Sequence, residues 1–142
     1  MRKVTRLSLL LASLVLVLAC ALTVKSARRV PAEDYAVRVD AAERLEACME
    51  RVKAYKSELG IPLSDEDHHE TGMLGEDYTP ITTTIGAPDA KRTTADPDMA
   101  ALCVQLLEEA GVKAGDAVGA GFSGSFPAMD LAVLCACAAM DV

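Results

Sequence analysis

The chain is poor in aromatic and basic residues. Three tyrosines, two phenylalanines and no tryptophan occur among its 142 residues. Residues 1–29 contain six basic side chains and no acid, so residues 30–142 hold the other eight basic groups against all 21 acids, a net charge of −13. Nucleic-acid binding requires a basic surface. We therefore expect no nucleic-acid partner.

The two histidines and five cysteines give little support for a metal or cofactor site. The cysteines are too few and too irregularly placed for a disulfide framework, and no C-x-x-C pair of the zinc-binding type occurs. The acidic run DEDHHE at 65–70 contains adjacent histidines, which could bind a divalent metal. Neighbouring loop residues rarely converge on one ion, however. We predict a solvated loop, buried cysteines, and neither metal nor cofactor.

Residues 7–24 form an uncharged apolar run flanked by basic residues. As a helix, this run would span roughly 27 Å, close to the roughly 30 Å hydrocarbon core of a bilayer. An uncleaved single-pass anchor within residues 1–29 is the favoured interpretation. A cleaved secretory signal and a lipoprotein signal, with Cys20 lipidated, are alternatives. All three place the protein at a cell membrane, and we expect the body to lie outside the cytoplasm.

A long amphipathic helix is predicted over residues 30–60, from Pro31 to Gly60. Its apolar residues recur at alternating spacings of four and three, as in a heptad seam. The seam positions are Ala41, Leu45, Cys48, Val52, Tyr55 and Leu59. The seam could dimerise the chain through residues 34–59, or it could lie on the chain's own domain.

Residues 61–95 are rich in glycine, proline, threonine and aspartate and predict a long loop segment. Within it, Ile81–Ile85 reads ITTTI, which favours a short extended segment or strand.

Residues 96–142 predict part of an α/β domain. A helix begins at Asp96-Pro97, a short strand follows at Ala117–Ala120, and a final helix begins near Phe126. This order is typical of an α/β fold with a parallel sheet. Since one strand cannot form a sheet and the last helix is apolar nearly all round, we expect the sequence to be truncated.

The loop before the last helix reads GAGFSGSFP. Backbone N–H groups of a glycine-rich loop, with serine hydroxyls beside them, favour an anion. We therefore predict a ligand site at Ser123, Gly124 and Ser125, in the crevice at the carboxyl end of the predicted strand. Ser123 is a weak candidate for a catalytic nucleophile, since that role needs a histidine and an acid nearby. In the simplest alternative, Ser125 only caps the helix. No lysine of the Walker type follows the loop.

Three segments carry a family resemblance. They read TGMLGEDYTPITTTIG (Thr71–Gly86), KRTTADPDMAALCVQLLEEAGVKAGD (Lys91–Asp116) and GFSGSFPAMDLAVLCA (Gly121–Ala136). They resemble the bacterial poly-gamma-glutamate system protein family, whose members continue beyond this C-terminus. The resemblance implies a membrane-anchored accessory component of the synthesis and export of a capsule polymer, with the other proteins of that system as partners.

The resemblance also implies a role for the threonines of the first segment. We expect Thr82, Thr83 and Thr84 to line the same crevice as the glycine-rich loop and to contact the ligand. No catalytic activity follows from the resemblance. A serine-dependent hydrolase or amide-transfer enzyme acting on the polymer, and a structural dimerising subunit, are the alternatives.

Overall fold

The computed structural model describes residues 6–27, 30–31, 33–76, 78–80, 82–83 and 85–142. Five helices occur in this part of the chain. They are α1 (Arg6–Ser26), α2 (Tyr35–Glu58), α3 (Pro88–Thr94), α4 (Asp98–Glu109) and α5 (Pro127–Met140). The chain divides into two compact units, Met1–Ala32 and Glu33–Val142. We call the second unit the body.

Helix α1 confirms the predicted apolar segment near the N-terminus. Its 20 residues from Leu7 to Ser26 are long and apolar enough to cross a membrane. The large apolar side chains described along this helix are exposed. A secretory signal has the same length and composition.

The core of the body lies where α2, α4 and α5 pack against one another, with α3 also in contact with α5. Alanine dominates this core. The alanines that are at most 2% exposed are Ala41, Ala100, Ala128, Ala132 and Ala136. Leu45 and Val104 are the largest fully buried side chains among the described residues. The three helices therefore meet through small side chains, which allow their backbones to approach closely.

The predicted seam of α2 faces the body over its first four positions. Ala41 and Leu45 are fully buried, and Cys48 and Val52 pack against the core. The last two positions, Tyr55 and Leu59, are more than half exposed. Most of the seam thus lies on its own domain. Dimerisation through residues 34–59 stays a prediction.

The predicted parallel sheet is wrong, because the described residues contain no strand. Ala117–Ala120 lies in an exposed segment without regular structure, and these residues form no backbone hydrogen bonds with the described part of the chain. Alanine and glycine have low strand propensity, and a single strand has no neighbour with which to pair. In the other predicted strand, the Thr82 N–H closes a turn onto the Thr79 carbonyl at 2.9 Å. Ile81 and Thr84 lie outside the described residues.

One buried carboxylate orders the loop between α2 and α3. Asp67 is 5% exposed and accepts hydrogen bonds from Thr71 N (3.0 Å), Thr71 Oγ1 (3.0 Å) and Gly72 N (2.7 Å). Gly72 has φ +77°, and a Cβ there would lie 3.1 Å from Lys53 Cα on α2. Only glycine fits both the left-handed backbone and this close approach. The loop then places Met73 and Leu74 in the core.

Two cysteines of the core have perturbed thiols. Burial raises the pKa of Cys103, and burial together with the neighbouring Cys48 raises the pKa of Cys135 to about 11. A thiol with a raised pKa is protonated at neutral pH and is a poor nucleophile. These cysteines therefore act as small apolar core residues.

Replacing Asp67 by alanine should lower the free energy of unfolding of the body by about 2–3 kcal/mol, because hydrogen bonds to a charged acceptor are lost and buried N–H groups lose their partner. Urea unfolding of the full chain in detergent micelles, followed by circular dichroism, measures this loss. Asp65→Ala is the matched control, since Asp65 is exposed and its carboxylate accepts no hydrogen bond within the described residues. Equal losses in both variants would contradict the structural role of Asp67.

Alkylation of Cys135 should be slow in the folded protein. At pH 8, a pKa of about 11 instead of 9.0 lowers the thiolate fraction about 100-fold. Iodoacetamide labelling of the full chain, quantified at Cys135 by peptide mass spectrometry, should therefore be at least this much slower before urea unfolding than after it. The native rate should rise as the pH approaches 11. Equal rates in the folded and unfolded chain would show that the thiol is not shielded.

Candidate functional site

A cavity of about 670 Å³ lies in the body between α2, the loop ahead of α3, α3 itself and the loop ahead of α5. Its lining residues are Val52, Lys56, Gly72, Met73, Gly75, Glu76, Thr79, Thr82, Thr83, Lys91, Ser123, Gly124, Ser125 and Pro127. We call it the Thr/Ser cavity. Its volume is within the range of roughly 300–1,000 Å³ that is typical of small-molecule sites.

Five of the six ligand-binding residues predicted from the sequence line this cavity. They are Thr82, Thr83, Ser123, Gly124 and Ser125. The sixth, Thr84, lies outside the described residues. The crevice itself differs from the prediction, since helices and loops form it rather than the end of a parallel strand.

A tight turn holds the threonines on one side of the cavity. The Thr79 N–H donates to Thr82 Oγ1 at 2.9 Å, and the two hydroxyl oxygens lie 3.0 Å apart. Thr83 follows in an exposed bend, and its hydroxyl forms no hydrogen bond with the described part of the chain. The turn therefore fixes two threonines and leaves the hydroxyl of the third available to a ligand.

The serine loop closes the other side of the cavity. The Phe126 N–H donates to the Ser123 carbonyl at 3.2 Å, and the Ser125 N–H donates to Ser123 Oγ at 3.4 Å. Phe126 immediately precedes α5, and no side chain caps this helix. The alternative in which Ser125 caps the helix is therefore not observed. The Ser125 hydroxyl and the Gly124 N–H have no partner within the described residues.

Two lysines from different helices bring positive charge to the cavity. Lys56 extends from α2, four residues after Val52 and on the same helix face, and its Nζ lies 3.4 Å from the Leu74 carbonyl oxygen. Lys91 extends from α3 and passes close to Gly86, where a Cβ would lie 3.1 Å from Lys91 Cε. Neither lysine forms an ion pair within the described residues.

Four of the six other basic side chains of the body form ion pairs with carboxylates within the described residues. The ion pairs are Arg38 with Asp34 and Glu108, Arg44 with Asp40, Lys53 with Glu70, and Arg92 with Glu66 and Asp89. Lys56 and Lys91 form no ion pair within the described residues. Arg51 and Lys113 form none there either, but neither of them is among the described residues that line the Thr/Ser cavity.

The arrangement favours binding over nucleophilic catalysis. Among the described residues that line the cavity there is no histidine to act as a base for Ser123. His69 lines a separate cavity of about 350 Å³, beside Glu46 and Glu50, and His68 is exposed. Hydroxyls, loop N–H groups and lysines are groups that bind anions.

Three acidic side chains of the run at 65–70 stabilise the body through hydrogen bonds and ion pairs. Asp67 binds N–H groups of its own loop, and Glu66 and Glu70 pair with Arg92 and Lys53. In the described part of the chain, no three histidine, cysteine or acidic side chains are grouped so that they could hold a metal ion.

Sequence patterns did not identify the two lysines as cavity residues. Lys91 opens the second of the three resembling segments, but its direction into a cavity depends on how α3 packs. Lys56 lies outside those segments, in a helix where charged residues are frequent. Only the fold reveals that the two share a cavity.

Comparison with known proteins identifies no relative: no protein-family model, no curated protein and no solved structure matches this chain.

Proposed function

We propose that this protein is a membrane-anchored accessory component of bacterial poly-γ-glutamate production, and that its body binds an anionic ligand in the Thr/Ser cavity. The ligand class that fits this role is the γ-linked glutamate chain itself. The cavity would hold the chain by its carboxylates.

The main support for this proposal is that all three segments with the family resemblance contribute to one cavity. The first segment supplies Gly72, Gly75, Glu76 and threonines, the second supplies Lys91, and the third supplies Ser123–Ser125. Segments that are separate in the sequence and meet at one concave surface support a shared binding role.

The charge of the lining supports an anion as ligand. Lys56 and Lys91 have no carboxylate partner in the described part of the chain, so a bound carboxylate would supply one. Charge-assisted hydrogen bonds of this kind are about twice as strong as neutral ones. The free hydroxyls of Thr83 and Ser125 can donate to further carboxylate oxygens.

We further propose that α1 is an uncleaved anchor and that the body lies outside the cytoplasm. Its length and apolar composition support the anchor, and the acidic charge of the body is compatible with export. This location would place the cavity where the exported polymer emerges.

The location predicts a protease-protection pattern. Protease added to intact spheroplasts should digest the body and leave a membrane-protected fragment that contains residues 7–26, since the bilayer shields α1. Immunoblotting and mass spectrometry of the membrane fraction measure this. Digestion only after the membrane is permeabilised would place the body in the cytoplasm and contradict the proposal.

Lys56→Gln and Lys91→Gln should each weaken binding of a short γ-linked glutamate oligomer about tenfold or more. Each removes one charge-assisted interaction, worth about 1.5–3 kcal/mol, and 1.4 kcal/mol corresponds to tenfold. Isothermal titration calorimetry of the full chain in detergent micelles measures the affinity. In a polymer-producing host that lacks the native copy, the same variants should also reduce polymer release.

Lys113→Gln is the matched control. Lys113 is exposed, and it does not line the Thr/Ser cavity. The substitution Lys113→Gln removes the same charge from the body and should leave oligomer affinity and polymer release unchanged. An equal loss in all three variants would indicate a general charge effect, and no loss in Lys56→Gln and Lys91→Gln would reject the cavity as the site.

A further inference from the structure

Glu76 adds a carboxylate to a cavity that otherwise suits an anion. It lines the Thr/Ser cavity together with Lys56 and Lys91, and it forms no ion pair within the described residues. We infer that the ligand carries an ammonium group as well as carboxylates, so that the cavity binds the free amino end of an anionic chain rather than its interior. This inference rests on the proposed function and specifies which part of the polymer is bound.

The inference depends on Lys56, Lys91 and Glu76, which form no ion pairs within the described residues. Elsewhere in the body, four basic side chains lie against carboxylates in six ion contacts, whereas the exposed Arg51 and Lys113 form none within the described residues. Around this cavity, two cationic groups and one anionic group remain apart from one another. A ligand that is anionic throughout would be attracted by both lysines and repelled by Glu76. A chain end that has both an ammonium and carboxylates would give all three side chains a partner of opposite charge.

The remaining polar groups of the lining suit such a chain end. Hydroxyl groups both donate and accept hydrogen bonds, so Thr83 and Ser125 can accept from an ammonium or donate to a carboxylate. The Gly124 N–H only donates, and it suits a carboxylate. The cavity thus offers acceptors as well as donors. A site for the interior of a polycarboxylate would need mainly donors.

The test compares two ligands, on which the substitution Glu76→Gln should have opposite effects. The ligands are a short γ-linked glutamate oligomer with a free amino terminus and the same oligomer with its amine acetylated. The full chain in detergent micelles should bind the free-amine form about tenfold more tightly. In Glu76→Gln, binding of the free-amine oligomer should weaken and binding of the acetylated oligomer should strengthen, so that the preference is lost.

Glu43→Gln is the matched control for the loss of one negative charge. Glu43 is exposed on α2, thirteen residues before Lys56, which corresponds to about 20 Å along a helix. This variant removes one acidic charge from the same body and should keep the preference for the free amine. Circular dichroism melting curves of both variants, unchanged from the parent, would show that folding is not affected.

Each remaining outcome rejects either this inference alone or the proposed function as well. If the parent protein binds both oligomers equally, or if Glu76→Gln strengthens both alike, the ammonium is not recognised, and the cavity remains an anion site as proposed for its function. If the parent protein binds neither oligomer, the inference and the proposed function both fail.

Discussion

The body depends on the close packing of α5 against α2 and α4 through small side chains. Ala128, Ala132 and Ala136 follow one another at intervals of four, so they form a single stripe along α5, and all three are buried. Since Leu45 and Val104 are the largest side chains fully buried in the described body, little apolar volume is available, and close approach of the helices must compensate. This packing fixes the position of Pro127 and hence the serine loop that precedes it.

The other side of the cavity depends on a polar interaction instead. The described residues of the loop between α2 and α3 form no helix or strand through which their backbone groups could pair. The Asp67 carboxylate supplies acceptors for N–H groups of the following residues, and Gly72 allows the chain to lie against the backbone of α2. Met73 and Leu74 then enter the core, so the next residues, Gly75 and Glu76, must face the cavity. One side of the site is thus ordered by apolar packing and the other by a buried charge.

Local signals in the sequence were sufficient for α1, α2, α4 and α5. They did not indicate α3, which lies within the segment predicted as a loop, and they did not indicate how the helices are arranged. Gly60 and Gly111 lie just after α2 and α4, and Asp96 accepts a hydrogen bond from Asp98 N at 2.9 Å where α4 begins. The predicted sheet failed because strand formation depends on a partner strand elsewhere in the chain, which no local pattern reveals. The serine loop was identified from its own composition. Lys56 and Lys91 were not identified, because they reach one cavity only through the packing of two helices that are distant in sequence.

The charge distribution determines how such a cavity can select a ligand. At long range, the acidic body repels an anion, and this repulsion is largely screened beyond about 8 Å at physiological ionic strength. At contact, an anion in the Thr/Ser cavity would meet two lysines that form no ion pair within the described residues. Affinity therefore has to come from short-range contacts rather than from electrostatic steering, because the overall field opposes approach. A site that works in this way discriminates by the placement of individual charges. In the proposed site, Glu76 would reduce the affinity for a simple anion and favour a ligand that also has an ammonium group.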